Sequence, residues 1–472
     1  MWKGIFFNAV AKYSGVVINL IITAILSRVL APEEFGIIAL VFVFIGFFNL
    51  FGNLGLGPAI VQKIEITEED IGSIFVFSSL MALTLAILFF LSSEYIARFY
   101  DEPKLIPVVK ILSLSVFFNI ISIVPTALNK KALRFKQMGI VNVSVQAFAG
   151  IIAIILALNN FSYYALIFQN VLTGFLVFVI FFYLYPIKKL ALDILPLKQI
   201  ASYSGFQFGY NFIVYISRNL DNLLIGKYLG NAPLGYYNKS YSLVTLPINN
   251  LTHVISPVLH PVLAQHQDDL SYIHKSYLNI IKILSGIGFP LAVFLFFTAE
   301  ELIFLFFGPQ WESSVPVFKI LALSVGLRVC TASSSAIFQA TNRTNLLFLS
   351  GLVSAILMAT GIVYGVFYGR NLVDIGYGLL TAYTLDFFVT YYLLIVKTLH
   401  KSLATFFRIF VNPLLAAIIL VFFYYVSSKI SFYNIYVEFI SNSIIFLIVT
   451  LAVFVFPKNN RKILNDLIRR NK

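Results

Sequence analysis

The stretch IGSIFVFSSLMALTLAILFFL, Ile71–Leu91, carries no charge from end to end and is bracketed by Glu68, Glu69 and Asp70 before it and Glu94 after it. The hydrocarbon core of a bilayer needs about 20 predominantly apolar residues per helix, so this stretch predicts a membrane span. Blocks of the same kind recur at Gly36–Asn49, Val171–Tyr185 and Asn412–Val426, each followed by a short polar break.

Composition agrees. The chain has 472 residues, 60% hydrophobic and 11% charged, against roughly 25% charged in an ordinary soluble domain. Soluble domains of this total length would have too few charges to cover their surfaces. A net charge of +13 would suggest nucleic acid in a soluble protein. Here the gathering of Lys and Arg in cytoplasmic loops accounts for it better, and no nucleic-acid partner is expected. The single cysteine, Cys330, excludes an internal disulfide and a cysteine zinc cluster. Met1–Val10 lacks the pattern of a cleavable signal, so the first helix is expected to stay as an anchor.

Reading on in this way gives an all-α integral membrane protein of about fourteen spans, the first at 8–30 and the last at 435–456. An even number puts both termini on one side. With the N-terminus inside, most of the 33 Lys and Arg fall in cytoplasmic segments, including Lys130, Lys131, Arg134 and Lys136 in one loop. The acidic segment Lys63–Asp70 dissents, though acids weigh little in this rule. Every polar stretch is short, which leaves no room for an extramembrane catalytic domain.

Pro107–Val116 reads PVVKILSLSV and Pro316–Val325 reads PVFKILALSV, with Arg134 and Arg343 paired at the same offset. A second match joins Arg28-Val-Leu and Phe35-Gly36 to Lys227-Tyr-Leu and Leu234-Gly235. Two parallel repeats of six spans follow, with 1–200 as an N-terminal bundle, 201–400 as a C-terminal bundle, and 401–472 as two added helices and a basic tail. Transporters built on such repeats hold substrate near the midplane.

Polar stripes interrupt the apolar faces. Asn8, Lys12, Asn19 and Thr23 share one face of the first span, and Gln207, Asn211 and Arg218 one face of the seventh. Small polar groups also join helices without binding anything. A mid-bilayer charge costs roughly 3 kcal/mol on the insertion scale, which favours function for Lys12 and Arg218. Lys239 and Arg328 complete the expected substrate-binding set: Lys12, Asn19, Gln207, Asn211, Arg218, Lys239 and Arg328. The intramembrane carboxylates Asp221 and Asp386 are the candidates for coupling to protons or sodium. The sequence contains no P-loop, HExxH, GxSxG or CxxC. Neither catalytic residues, nor a bound metal, nor a cofactor is expected, and energy would come from an ion gradient, the membrane potential or substrate supply.

The chain resembles the Wzx-type polysaccharide flippases, of the colanic-acid-exporter-like branch, within the multidrug/oligosaccharidyl-lipid/polysaccharide exporter superfamily. The motifs are Leu30-Ala-Pro-Glu-Glu-Phe-Gly36, Gly52-Asn-Leu-Gly-Leu-Gly-Pro-Ala-Ile-Val-Gln62, Arg218-Asn-Leu-Asp-Asn-Leu-Leu-Ile-Gly226, Leu234-Gly-Tyr-Tyr237 and Gly308-Pro-Gln-Trp311. The resemblance implies two six-helix bundles forming a V around a central cavity. It also implies export of undecaprenyl-pyrophosphate-linked oligosaccharide across the bacterial cytoplasmic membrane, for lipopolysaccharide or exopolysaccharide synthesis, beside a polymerase and glycosyltransferases. The rival readings are a cation-coupled multidrug exporter, a membrane glycosyl-polymerase or ligase, and a non-transporting scaffold.

Overall fold

A computed structural model of the chain describes residues 2–53, 55–62, 66–193, 212, 214–267, 269–427, 429 and 434–455. Among them there is no strand. Eleven helices are long and apolar enough to cross a membrane, or twelve if the bent pair Pro309–Leu323 and Val325–Ala340 is one span. Of the fourteen expected spans, the seventh runs into residues outside the described set. The eighth is a continuous 34-residue helix, Asn231–Ala264, too polar to qualify on apolarity alone.

In chain order the helices are α1 (Trp2–Val29), α2 (Pro32–Asn53), α3 (Leu56–Gln62), α4 (Glu68–Leu91), α5 (Ser93–Tyr100), α6 (Leu105–Ile121), α7 (Ile123–Lys131), α8 (Phe135–Leu158) and α9 (Tyr164–Leu184). Then come α10 (214–228), α11 (Asn231–Ala264), α12 (Leu270–Phe297), α13 (Ala299–Phe306), α14 (Val315–Leu323), α15 (Val325–Ala332) and α16 (Ser334–Ala340). The last are α17 (Thr344–Tyr364), α18 (Leu372–Tyr391), α19 (Leu403–Phe407), α20 (Val411–Ser427) and α21 (Ile435–Val455).

Much of the apolar surface faces outward. On α21, Ile444, Leu447, Ile448 and Leu451 are 51–63% exposed. Water would not tolerate such a continuous apolar surface; hydrocarbon would. The chain is a multi-pass membrane protein.

The internal repeat is visible in the backbone. α8 starts after Arg134 and α17 after Arg343, and the residue before each N-cap, Leu133 and Asn342 respectively, turns through a left-handed conformation at φ 55° and 54°. The dissenting acidic segment has a local explanation. Thr67 and Asp70 form a capping box at the start of α4, which satisfies the amides of both residues. Glu68 and Glu69 then pair with Lys188 and Lys189 at 3.2 and 3.1 Å, so these acids meet basic residues at one end of the bundle.

The chain divides into two compact units, Met1–Gly235 and Tyr236–Lys472. The repeat offset heads the second half with the seventh span, yet α10 packs in the first unit. Three contacts tie it there. The Tyr215 hydroxyl donates to the Val43 carbonyl, the Tyr100 hydroxyl donates to the Leu223 carbonyl at 3.5 Å, and Lys227 pairs with Asp101 at 2.8 Å.

The second repeat match is a helix crossing. A Cβ on Gly36 would collide with the carbonyl oxygen of Asn231, and a Cβ on Gly235 with that of Pro32. Pro32 and Asn231 stand at the same offset as Gly36 and Gly235, so the first turns of α2 and α11 meet reciprocally, each presenting a glycine to the other's backbone. Polar pins surround the crossing. Asn231 donates to Glu102 at 2.7 Å, and Lys104 pairs with Glu33 at 2.8 Å. The hydrogen bond to Glu33 and the charge of that carboxylate hold the Lys104 ammonium above its ordinary pKa.

Candidate functional site

In the first unit α1 and α8 meet through a dry contact, where Ile22 fills the space beside Gly150 and packs with Leu26, Leu30, Ala153 and Ala157. Nearer the start of both helices the contact opens into a cavity of about 510 Å³. Lys12, Gly15 and Asn19 line it from α1, Gly139, Asn142 and Gln146 from α8, and Lys130 from the end of α7. Each helix contributes residues three, four or seven apart, the spacing of a single face. Among the described residues no carboxylate lines the cavity.

Lys12, Asn19, Lys130, Asn142 and Gln146 make no hydrogen bond or ion pair to another protein group among the described residues. The first-span stripe lines the cavity with Lys12 and Asn19. Polar groups that join helices bond to one another across the interface; these face open space. The sequence stripe thus led to Lys12 and Asn19. It missed Asn142 and Gln146, whose spacing of four on one helix face was the available signal.

The other expected residues lie elsewhere. Gln207 and Asn211 are outside the described residues, as is the side chain of Asn8. Arg218 is exposed on α10 and makes no ion pair among the described residues, so it does not bridge to Asp221. Asp221 is buried, 5% exposed, and accepts from the backbone and side-chain amides of Asn222 at 2.8 and 3.3 Å.

In the second unit two cations are sheathed in aromatic rings. The Lys239 ammonium lies 5.1 Å from the Phe307 ring centre and 5.6 Å from that of Trp311. Tyr236 meets Trp311 edge-on at 6.0 Å. Gly308, at φ 99°, makes the turn that brings Trp311 inward, where it is fully buried. Two of the quoted motifs, 234–237 and 308–311, therefore meet around one lysine. Arg328, on α15, lies 5.2 and 4.6 Å from the ring centres of Tyr241 and Tyr383. Its Nη2 donates to the Tyr241 hydroxyl at 3.2 Å, while Nη1 is buried with no hydrogen-bond partner. Cation–π contacts of this kind strengthen when water is excluded.

Asp386 faces α17. Thr390 donates to its Oδ1 at 3.3 Å and Ser354 also hydrogen-bonds it; Thr390 lies 2.9 Å from Ser350. Hydroxyls, and no cation among the described residues, surround it. Glu301, on the short α13 outside the apolar spans, is a buried acid that sequence reading passed over. Burial pushes its carboxyl up to about 7; its own backbone amide and Lys319 oppose this, and Glu438 and Glu300 add to it. A raised carboxyl favours the folded state most below its unfolded pKa, and that contribution is lost as pH rises to about 7. Glu301→Gln is therefore expected to raise the unfolding midpoint at pH 8 and to leave it near wild type at pH 5. An equal gain at both pH values would show that Glu301 does not titrate in this window.

Helices of this length and apolarity define a polytopic membrane protein. Residues 25–316 match the polysaccharide biosynthesis protein family, and the chain belongs to that family. Among curated relatives, the lipopolysaccharide biosynthesis protein WzxC of Escherichia coli is 23% identical over 412 residues, covering 85% of this chain and 82% of that one. The teichuronic acid biosynthesis protein TuaB of Bacillus subtilis is 26% identical over 301 residues, 63% of this chain, which spans 62% of TuaB. Among solved structures, the lipid II flippase MurJ in an inward closed conformation superposes with a TM-score of 0.77 at 17% identity, covering 98% of this chain and all of that one. An inward-facing multidrug resistance MATE transporter gives 0.66 at 15% identity, covering 80% and 93%. These superpositions establish the fold.

Proposed function

We propose that the chain carries a lipid-linked, anionic oligosaccharide unit from the inner to the outer leaflet of a bacterial cytoplasmic membrane by alternating access, for assembly of a surface polysaccharide. The observation that carries this reading is the α1–α8 cavity. Two ammonium groups and three carboxamides stand unbonded in it, in a chain of the polysaccharide biosynthesis family. Ammonium groups attract phosphate or uronate, and carboxamides both donate to and accept from hydroxyls. A cation-coupled multidrug exporter would call for acids in that lining. Both termini and the Lys130 end of the cavity are assigned to the cytoplasm, where Lys and Arg gather. A polysaccharide polymerase and glycosyltransferases are the natural partners for the product and the supply. Coupling through Asp221 or Asp386 belongs to the same proposal; Asp221→Asn and Asp386→Asn together should then change the dependence of export on the ion gradient.

The test is surface glycan per cell, normalised to protein in the membrane, in a host lacking its own flippase. Lys12→Ala and Arg218→Ala are each expected to accumulate normally and to lose export about tenfold or more, the worth of a lost charge-assisted contact. Lys12→Arg should retain most of it. Arg218→Ala with Asp221→Ala should recover nothing; recovery would make Arg218 a helix-packing residue. With Cys330 replaced, single cysteines at 129–136 should resist an impermeant reagent applied to intact cells. Ready labelling there would reverse the leaflet assignment.

A further inference from the structure

We infer that Asn142 and Gln146 of α8, with Asn19 of α1 opposite, form a saccharide-reading subsite in which the carried unit's sugar is recognised through its ring hydroxyls, while Lys12 and Lys130 hold the adjoining phosphate. This deepens the transport reading above and rests on it. The chemistry of the lining is specific: among the described residues, three carboxamides, two ammonium groups and no carboxylate stand around about 510 Å³. A pocket of that size suits a small ligand. Hydroxyl-rich rings need partners that donate and accept side by side, which carboxamides supply and lysines do not.

The internal repeat separates this role from a structural one. At the offset that pairs Arg134 with Arg343, Asn142 corresponds to Gly351 and Gln146 to Ala355. α17 forms with neither amide, so the helix and its place in the repeat do not require them. Nor do they hold α1 against α8, because none of the three bonds to another described residue. Gly15 keeps the subsite open: a Cβ there would stand 3.2 Å from the Gln146 Oε1.

The experiment measures binding to the purified full chain in nanodiscs. The probes are farnesyl diphosphate and its glucosyl, galactosyl, N-acetylglucosaminyl and glucuronosyl derivatives. For wild type, at least one glycosylated probe is expected to bind about tenfold or more tighter than farnesyl diphosphate, since two or three added hydrogen bonds contribute at least that. In Asn142→Ala/Gln146→Ala that ratio should fall to about one, with circular dichroism and the unfolding midpoint unchanged. Gly15→Val, which narrows the subsite from the opposite wall, should lower the ratio too. A ratio that survives in the double variant, or a wild-type ratio of one for every sugar, overturns the inference while leaving the transport reading intact. If no diphosphate binds at all, the transport reading fails and the subsite with it. A ratio abolished by adding phosphatidylglycerol to the nanodisc would mean that the cavity holds a lipid headgroup, which also overturns the inference.

Discussion

Gly36→Ala and Gly235→Ala are each expected to destabilise the solubilised protein by about 1–3 kcal/mol, the range for overpacking a close contact. Gly351→Ala is expected to stabilise it by up to about 1 kcal/mol. All three glycines lie in helices, where alanine is intrinsically the better residue. Their surroundings reverse the sign. A methyl group at Gly36 or Gly235 strikes a carbonyl oxygen of the facing helix, and backbone cannot swing aside as a side chain can. At Gly351 there is nothing within 4 Å. The crossing is reciprocal, so parting α2 from α11 once relieves both sites. The double variant should therefore cost less than the sum of the singles. Unfolding midpoints of the four variants check this. If Gly36→Ala behaves like Gly351→Ala, the first turns of α2 and α11 are not in contact in the folded protein.

That crossing also shows what was legible in the sequence. The repeat match of Phe35-Gly36 with Leu234-Gly235 was visible as similarity, but its meaning was not, because the contact joins residues nearly 200 positions apart. Spans read well: runs such as Ile71–Leu91 became helices within a few residues of where apolarity placed them, since each span satisfies its own backbone in hydrocarbon. The breaks within spans read poorly. The one at Ser92 carries no Gly or Pro, while the one at Ser122 precedes Pro125, which has no amide to offer the Ile121 carbonyl. At the candidate site, Lys12 and Asn19 were legible as a stripe. Asn142 and Gln146 were not, because a search led by the repeat passes over residues whose counterparts are Gly351 and Ala355. Arg218 and Asp221 stand three residues apart on one helix, a spacing that permits contact without requiring it. In the fold one turns outward and the other inward.

Arg328→Met is expected to fold as well as wild type or better, and to lose export about a hundredfold or more. The two halves of that expectation have different causes. A guanidinium on α15 carries an insertion cost of roughly 3 kcal/mol at mid-bilayer. Against this the protein offers two ring faces and one hydroxyl acceptor. Replacing a desolvated charge by an apolar side chain of similar reach is often neutral or stabilising by about 1–4 kcal/mol, so methionine should not cost the fold. On the proposed reading the charge serves the substrate rather than the fold. Nη1, buried and without a partner, is the donor left for it. Two charge-assisted hydrogen bonds to a phosphate or uronate, lost together, account for about a hundredfold. Arg328→Lys keeps the charge but loses the planar fork and its stacking between Tyr241 and Tyr383, and should export at an intermediate level. Tyr383→Phe keeps the ring face beneath the cation and should change export little. Unfolding midpoints and surface glycan per transporter, measured on the same set, decide the matter. Were Arg328→Met to export like wild type, the aromatic rings around Arg328 would be packing alone, and its charge would have no part in export.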